Sequence, residues 1–257
     1  MTKDETKGIR ERIDRRINSR NKKISMIEEG TVQKNKLTSA HRMVGHDSRA
    51  AAVYYLVLDE CEEATHKFRT AATHYRNVVQ LARKKSGSPE ENEPVDLRYL
   101  LHVALLADDG TVIMNAADLT LGISSAYVKQ YSSLYHYYYV AALAAEIQET
   151  GDQQTYLDEL DEVIEGINPD YVEKKLHVLY RAWWRVLSGI VSRDEQLFDQ
   201  GMTELLDHHA EFASSNSTNP KDLVCLSGAA LVALARRKGM DIRIESEYVP
   251  DCVYELA

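Results

Sequence analysis

The glycines of this chain are few, and they fall where helices should stop. Only 12 Gly and 5 Pro in 257 residues leave long intervals with nothing to break a helix. Gly30, Gly45, Gly110, Gly122, Gly151, Gly166 and Gly239 bound intervals in which apolar residues recur every three or four positions. Strand-like alternation is scarce. Such punctuation predicts an all-α fold, an irregular stack of antiparallel helical hairpins.

The first 46 residues form a basic helical arm, with 12 Lys/Arg against 6 Asp/Glu; residues 47–257 form a helical body with 19 against 34. The arm carries a sparse stripe, Ile9, Ile13, Ile17, Ile24 and Ile27, enough to dock on a body but not to make one. Gly30-Thr31 reads as a stop followed by a new cap, and a second helix is expected to end near Gly45.

Residues 47–85 read as a helical pair. The first helix presents Ala51, Ala52, Tyr55 and Leu58, the second Ala64, Phe68, Ala71, Tyr75 and Val78. Ala52, Tyr55, Ala64, Phe68 and Ala71 resemble a tetratricopeptide repeat, in which small residues let two helices approach and aromatics fill the groove. No clean second copy follows; Ala182, Phe198 and Gly201 echo it faintly.

The segment SGSPEENEP, residues 86–94, is linker-like and would subdivide the body into 47–85 and 95–257. Helices are then expected at 95–107, 111–121, from Ser124 or Ser125 to Thr150, and from an Asp152 cap to Glu165. Asn168-Pro169 starts another in the favoured way, with a cap residue and then Pro in the first turn. Ser192 with Glu195 reads as a capping box for the next. Residues 221–238 read as one helix stopped by Gly239, and DIRIES after it as a short extended or β-like tail with Ile242 and Ile244 on one side.

Charge and cysteine usage bound the role. The net charge of -9 makes a nucleic-acid partner a poor fit. Cys61, Cys225 and Cys252 form no CxxC, and free buried thiols in a reducing compartment are expected. The N-terminal stretch has no apolar core of a signal peptide, and no run reaches membrane-spanning length, so a cytoplasmic protein is expected.

The search for chemistry finds no phosphate loop, nucleophile elbow or zinc-protease His pair. In the Asp207, His208, His209, Glu211 cluster the adjacent histidines diverge by about 100° on a helix. His208 with Glu204 or Glu211 has usable spacing, but a third ligand must come from elsewhere, and no metal or cofactor is expected. The paired acids Asp108-Asp109, Asp158-Glu159 and Asp161-Glu162 read as a solvated face that can also dock a basic partner. Tyr131, Tyr135 and Tyr138 share one helical face, either filling helix grooves or offering an aromatic platform. Trp183 and Trp184 point to different faces, one into the core and the other exposed or packed on a neighbouring helix.

The order of elements from Tyr171 to Pro250 carries a further resemblance. WRVLSGIVSRDEQLFDQGMTELLDHH, then LSGAALVALARRKGMDIRIESEYVP, resembles the C-terminal half of the immunity protein 49 family of bacterial polymorphic toxin systems, over roughly 80 residues. The resemblance implies a cytoplasmic antidote that binds a toxin and covers its working surface, and it supplies no catalytic residue. The expected partner is therefore a protein, with Tyr131, Tyr135, Tyr138, Asp158, Glu159 and Glu162 as contact residues. Two other readings stay open: a tetratricopeptide-like adaptor or regulatory scaffold, and a metal-binding or enzymatic helical protein.

Overall fold

The computed structural model describes residues 3–86, 93–123, 134–166, 174–214 and 217–256. Helices α1 (Lys3–Glu28), α2 (Leu37–Val57), α3 (Cys61–Ser86), α4 (Glu93–Leu106), α5 (Gly110–Leu121) and α6 (Leu134–Gln148) are followed by α7 (Gln153–Glu165), α8 (Lys174–Ser192) and α9 (Glu195–Phe212). A four-residue α10 (Pro220–Leu223), α11 (Leu226–Arg237) and a 3-10 turn (Asp251–Glu255) complete the chain. The fold is all-α, without a strand among the described residues.

Among the described residues four hairpins, α2/α3, α4/α5, α6/α7 and α8/α9, make the body. Each turn is made the same way. The residue just past the first helix, Asp59, Asp108, Glu149 or Arg193, takes a left-handed φ between 49° and 59° without being glycine. Such a backbone costs on the order of 1–3 kcal/mol. Cross-links hold three of these residues: Asp108 pairs with Arg237, Glu149 with Lys238 at 2.6 Å, and Arg193 with the buried Glu146 at 3.2 Å. The last turn of α11 thus clips two hairpin turns in place. In three of the turns an acid follows directly, and its carbonyl accepts the first bond of the next helix: Glu60 from Ala64, Asp109 from Ile113, Asp194 from Phe198. The repeat absent from the helix faces is present in the turns.

Small residues set the helix spacings. Ala52, Ala64 and Ala71 are buried with Phe68 between α2 and α3, as their pattern predicts. The helix end expected near Gly45 does not occur: α2 runs through it, and the Tyr75 ring lies 3.1 Å from where a side chain would begin. In α8/α9 the approach is closer still. A Cβ on Gly189 would lie 2.5 Å from the Phe198 nitrogen, and one on Gly201 would lie 2.6 Å from the Val186 nitrogen. Helix α1 packs on the body through Ile9 and Ile13, and Asp47 secures it by accepting from Arg16, Ser19 and Lys23 at 2.7–3.0 Å.

Two further expectations are corrected. Ser192 ends α8, its hydroxyl donating to the Ser188 carbonyl, and Asp194 caps α9 by accepting from the Leu197 N–H at 3.0 Å. Residues 221–238 are not one helix: the chain extends at Val224-Cys225, where the Cys225 N–H donates to the Tyr248 carbonyl. The tail is extended but pairs with no strand. The Tyr254 hydroxyl replaces the missing ladder, accepting from the Ile244 N–H and donating to the Ile244 carbonyl, both at 2.9 Å. The helix start at Asn168-Pro169 and the cap at Ser124 or Ser125 lie outside the described residues.

Candidate functional site

The expected aromatic–acidic face lies on α6 and α7. Tyr137 and Tyr139 turn inward and are buried, leaving Tyr135 and Tyr138 half-buried on the flanks. Tyr138 donates a hydrogen bond to Glu159. Burial and that bond push its phenol up to about 12, with a further contribution from the Glu162 charge. Asp158, Glu159 and Glu162 are exposed, and Asp158 accepts from Gln154 at 2.8 Å. Tyr138, Glu159 and Glu162 therefore form one cluster. Tyr135 belongs elsewhere, stacked on Tyr180 of α8 with ring centroids 4.0 Å apart. Tyr131 lies outside the described residues. Asp161 and Glu165 are engaged by Arg181, and Trp184 packs on α7 by donating to the Leu157 carbonyl at 3.1 Å.

A second feature has no motif in the sequence. A cleft of about 560 Å³ opens between α2, α4, α8, α9 and the α10–α11 junction. Among the described residues, Arg16, Arg49, Arg98, Lys221 and four histidines line it, and no carboxylate does. The Arg49 guanidinium lies 4.2 Å from the Tyr99 ring centroid; that of Arg98 lies 5.1 Å from Tyr99 and 4.8 Å from Trp183. Both are cation–π distances. Tyr75 stacks on Tyr99 and Tyr139 on Trp183, so the aromatic floor is held from beneath.

The two guanidiniums set the local electrostatics. Burial would raise the Tyr99 phenol, but Arg98 and Arg49 outweigh it and hold the phenol below its ordinary value. Burial, then the Arg49 charge, pushes His46 down to about 4, and its Nδ1 bonds the Tyr75 hydroxyl at 2.8 Å. His102 is fully enclosed and held neutral by burial, its Nε2 against the Tyr139 hydroxyl at 2.9 Å. Arg98-Tyr99 is the one local clue in the sequence. The other contributors are spread from residue 16 to residue 227 and meet only in the folded chain.

The histidine cluster of α9 does not converge. His208 packs on Phe212 and His209 on Tyr248, while Glu204 is engaged by Arg185. Among the described residues, Asp59, Cys61 and Cys252 are the group close enough to surround an ion, and two of these are covalently joined. That join corrects the expectation of three free thiols: Cys61 and Cys252 form a disulfide across 191 residues of sequence, and Cys225 alone is free and buried. The acidic pair Asp108-Asp109 is structural, Asp109 accepting from the Thr111 and Val112 N–H groups as a helix cap.

No helix among the described residues is long and apolar enough to cross a membrane. Comparison with curated proteins and with solved structures yields no significant match. The sequence model described as Immunity protein 49 matches residues 46–252, so the likeness extends far beyond the 80 C-terminal residues expected to carry it. The matched segment begins inside α2, takes in the three later hairpins, the α7 ridge and all of the described cleft lining except Arg16, and ends on the disulfide at Cys252. With four-fifths of its length inside that match, the chain belongs to the immunity protein 49 family.

Proposed function

We propose that this protein binds a protein toxin in the cytoplasm and neutralises it by covering its working surface, with no chemistry of its own. The family match over residues 46–252 carries this reading. A stack of hairpins with cross-linked turns supports it, because a rigid body loses little conformational freedom on binding. The contact surface is the α7 ridge, with Asp158, Glu159 and Glu162 exposed along it and Tyr138 at its foot. An acidic ridge suits a toxin with a basic surface and gives fast, salt-sensitive association.

The test is co-expression with a toxin-like domain from a neighbouring reading frame, followed by binding of the purified pair. Growth should be rescued, and the double variant Glu159→Lys, Glu162→Lys should slow association about tenfold at low salt. Unchanged association at all salt concentrations would move the contact off α7. Failure to bind or neutralise that toxin would remove the immunity role itself.

A further inference from the structure

The cleft beneath Arg49 and Arg98 gathers positive charge on an otherwise acidic body. Neither guanidinium has a carboxylate partner among the described residues. The nearby acids are already committed, Asp96 to Arg42 at 2.7 Å and Asp47 to Arg16 and Lys23. Two polar atoms lining the same cleft are buried and unpartnered: the Trp183 Nε1–H and His209 Nε2. Trp183 is only 3% exposed, so water does not readily satisfy that donor. A buried donor without an acceptor is unfavourable, and a bound acceptor removes that penalty.

Val53, Leu179, Leu205, Val224 and Leu226 give the cleft an aliphatic wall, with Phe212, Asn219 and Ser227 also lining it. The rings of Tyr99 and Trp183 each already carry a guanidinium and a stacked tyrosine, which makes them poor platforms for a planar base. The volume falls in the range of small-molecule sites. From this geometry we infer that the cleft binds a small organic anion. Its single oxyanion head, a carboxylate or a phosphate monoester, sits at Arg49, Arg98 and the Trp183 indole N–H, and its compact aliphatic body lies against Leu179 and Leu205. The inference stands apart from the toxin-binding reading and uses none of the α7 ridge.

The experiment titrates the full chain with octyl phosphate, octanoate and inorganic phosphate, read by calorimetry and by tryptophan fluorescence. One alkyl anion should saturate a single site and bind about tenfold or more tightly than inorganic phosphate, which lacks the apolar body. Which of the two alkyl probes wins assigns the head group. Arg49→Gln and Arg98→Gln should each weaken binding about tenfold, as expected for a charge-assisted hydrogen bond. Ser227→Asp is the companion variant, because it introduces a carboxylate into the cleft at the first turn of α11, a position that favours the fold. It should abolish binding while the melting temperature holds. No saturable binding by either alkyl anion, or full binding by a folded Ser227→Asp, overturns the inference.

Discussion

Gly189 lies directly against the backbone of Phe198, with no room between α8 and α9 for a methyl group. Gly201 lies in the same way against Val186 from the other helix, so the two glycines form a reciprocal crossing. Both residues sit inside helices, where glycine is intrinsically unfavourable by about 1 kcal/mol relative to alanine. Close packing is what keeps them there.

Gly189→Ala and Gly201→Ala should therefore each destabilise the protein despite their better helix propensity. Overpacking of about 2–3 kcal/mol corresponds to a fall of roughly 5–10 °C in melting temperature. Gly8→Ala, with open space around it, is the control and should be neutral or slightly stabilising. Thermal melts that rank Gly189→Ala with Gly8→Ala would contradict this packing.

Reduction should loosen the fold without unfolding it. Closing a loop of this length by a disulfide stabilises by about 2–5 kcal/mol. Dithiothreitol should lower the melting temperature of the wild type and leave Cys252→Ser unmoved. Cys225→Ser should keep its full response to reductant, since Cys225 takes no part in the bond. Mass mapping of alkylated thiols checks the pairing directly.

Stability should fall as the pH drops from about 6.5 towards 4. Burial, followed by the neighbouring charges of His41 and Arg20, pushes His74 down to about 4; burial and then Arg49 does the same to His46. The unfolded chain therefore binds protons in that window that the folded chain refuses, and the stability present above pH 6.5 is lost on acidification. His74 Nδ1 lies 2.9 Å from His41 Nδ1, an arrangement that cannot survive protonation of both rings. Melts between pH 7 and pH 4.5 should fall by roughly 5–10 °C, and His74→Gln should flatten the curve. A wild type insensitive over this range would show these rings to be solvated.

Asp47→Asn should release the arm before the body. The carboxylate joins α1 to α2 by two ion pairs and a serine hydroxyl, and its proximity to Lys23, Arg16 and Ser19 holds its pKa below the usual carboxylate range in spite of burial. Losing it costs about 1–2 kcal/mol, since Arg16 is itself half exposed. Limited proteolysis should then cut within residues 3–28 faster than in the wild type while the melting temperature of the body changes little.

Glycine punctuation was legible where the chain does stop, at Gly122, Gly151, Gly166 and Gly239, because local backbone preference decides a helix end in the absence of a tertiary contact. It misled at Gly45, where the Tyr75 ring decides, and it could not announce Gly189 and Gly201, whose reason lies on a partner helix. The break at Val224-Cys225 was invisible for a similar cause: it depends on a carbonyl from Tyr248, more than twenty residues away. Apolar spacing placed Ala52, Ala64, Phe68 and Ala71 correctly, because period 3.6 directly records which face is buried. Of the contact residues expected on the surface, Tyr138, Glu159 and Glu162 come together because they lie on packed neighbouring helices, whereas Tyr135 is drawn off by Tyr180. The cleft left no pattern, since Arg49, Arg98 and Trp183 share no period and meet only in three dimensions.

The bond between Cys61 and Cys252 also changes how the molecule responds to force. A pull on the chain beyond Cys252 cannot peel the tail from α11; it passes through the sulfur bridge to the start of α3 and loads the α2/α3 turn at Asp59. Everything from residue 61 to residue 252 is one covalent ring, and that ring holds three complete hairpins and the second helix of the other. An unfolding machine gripping the chain past Cys252 would meet a loop that must be threaded double or first be reduced. While the bond is intact, that mechanical route into the body is closed.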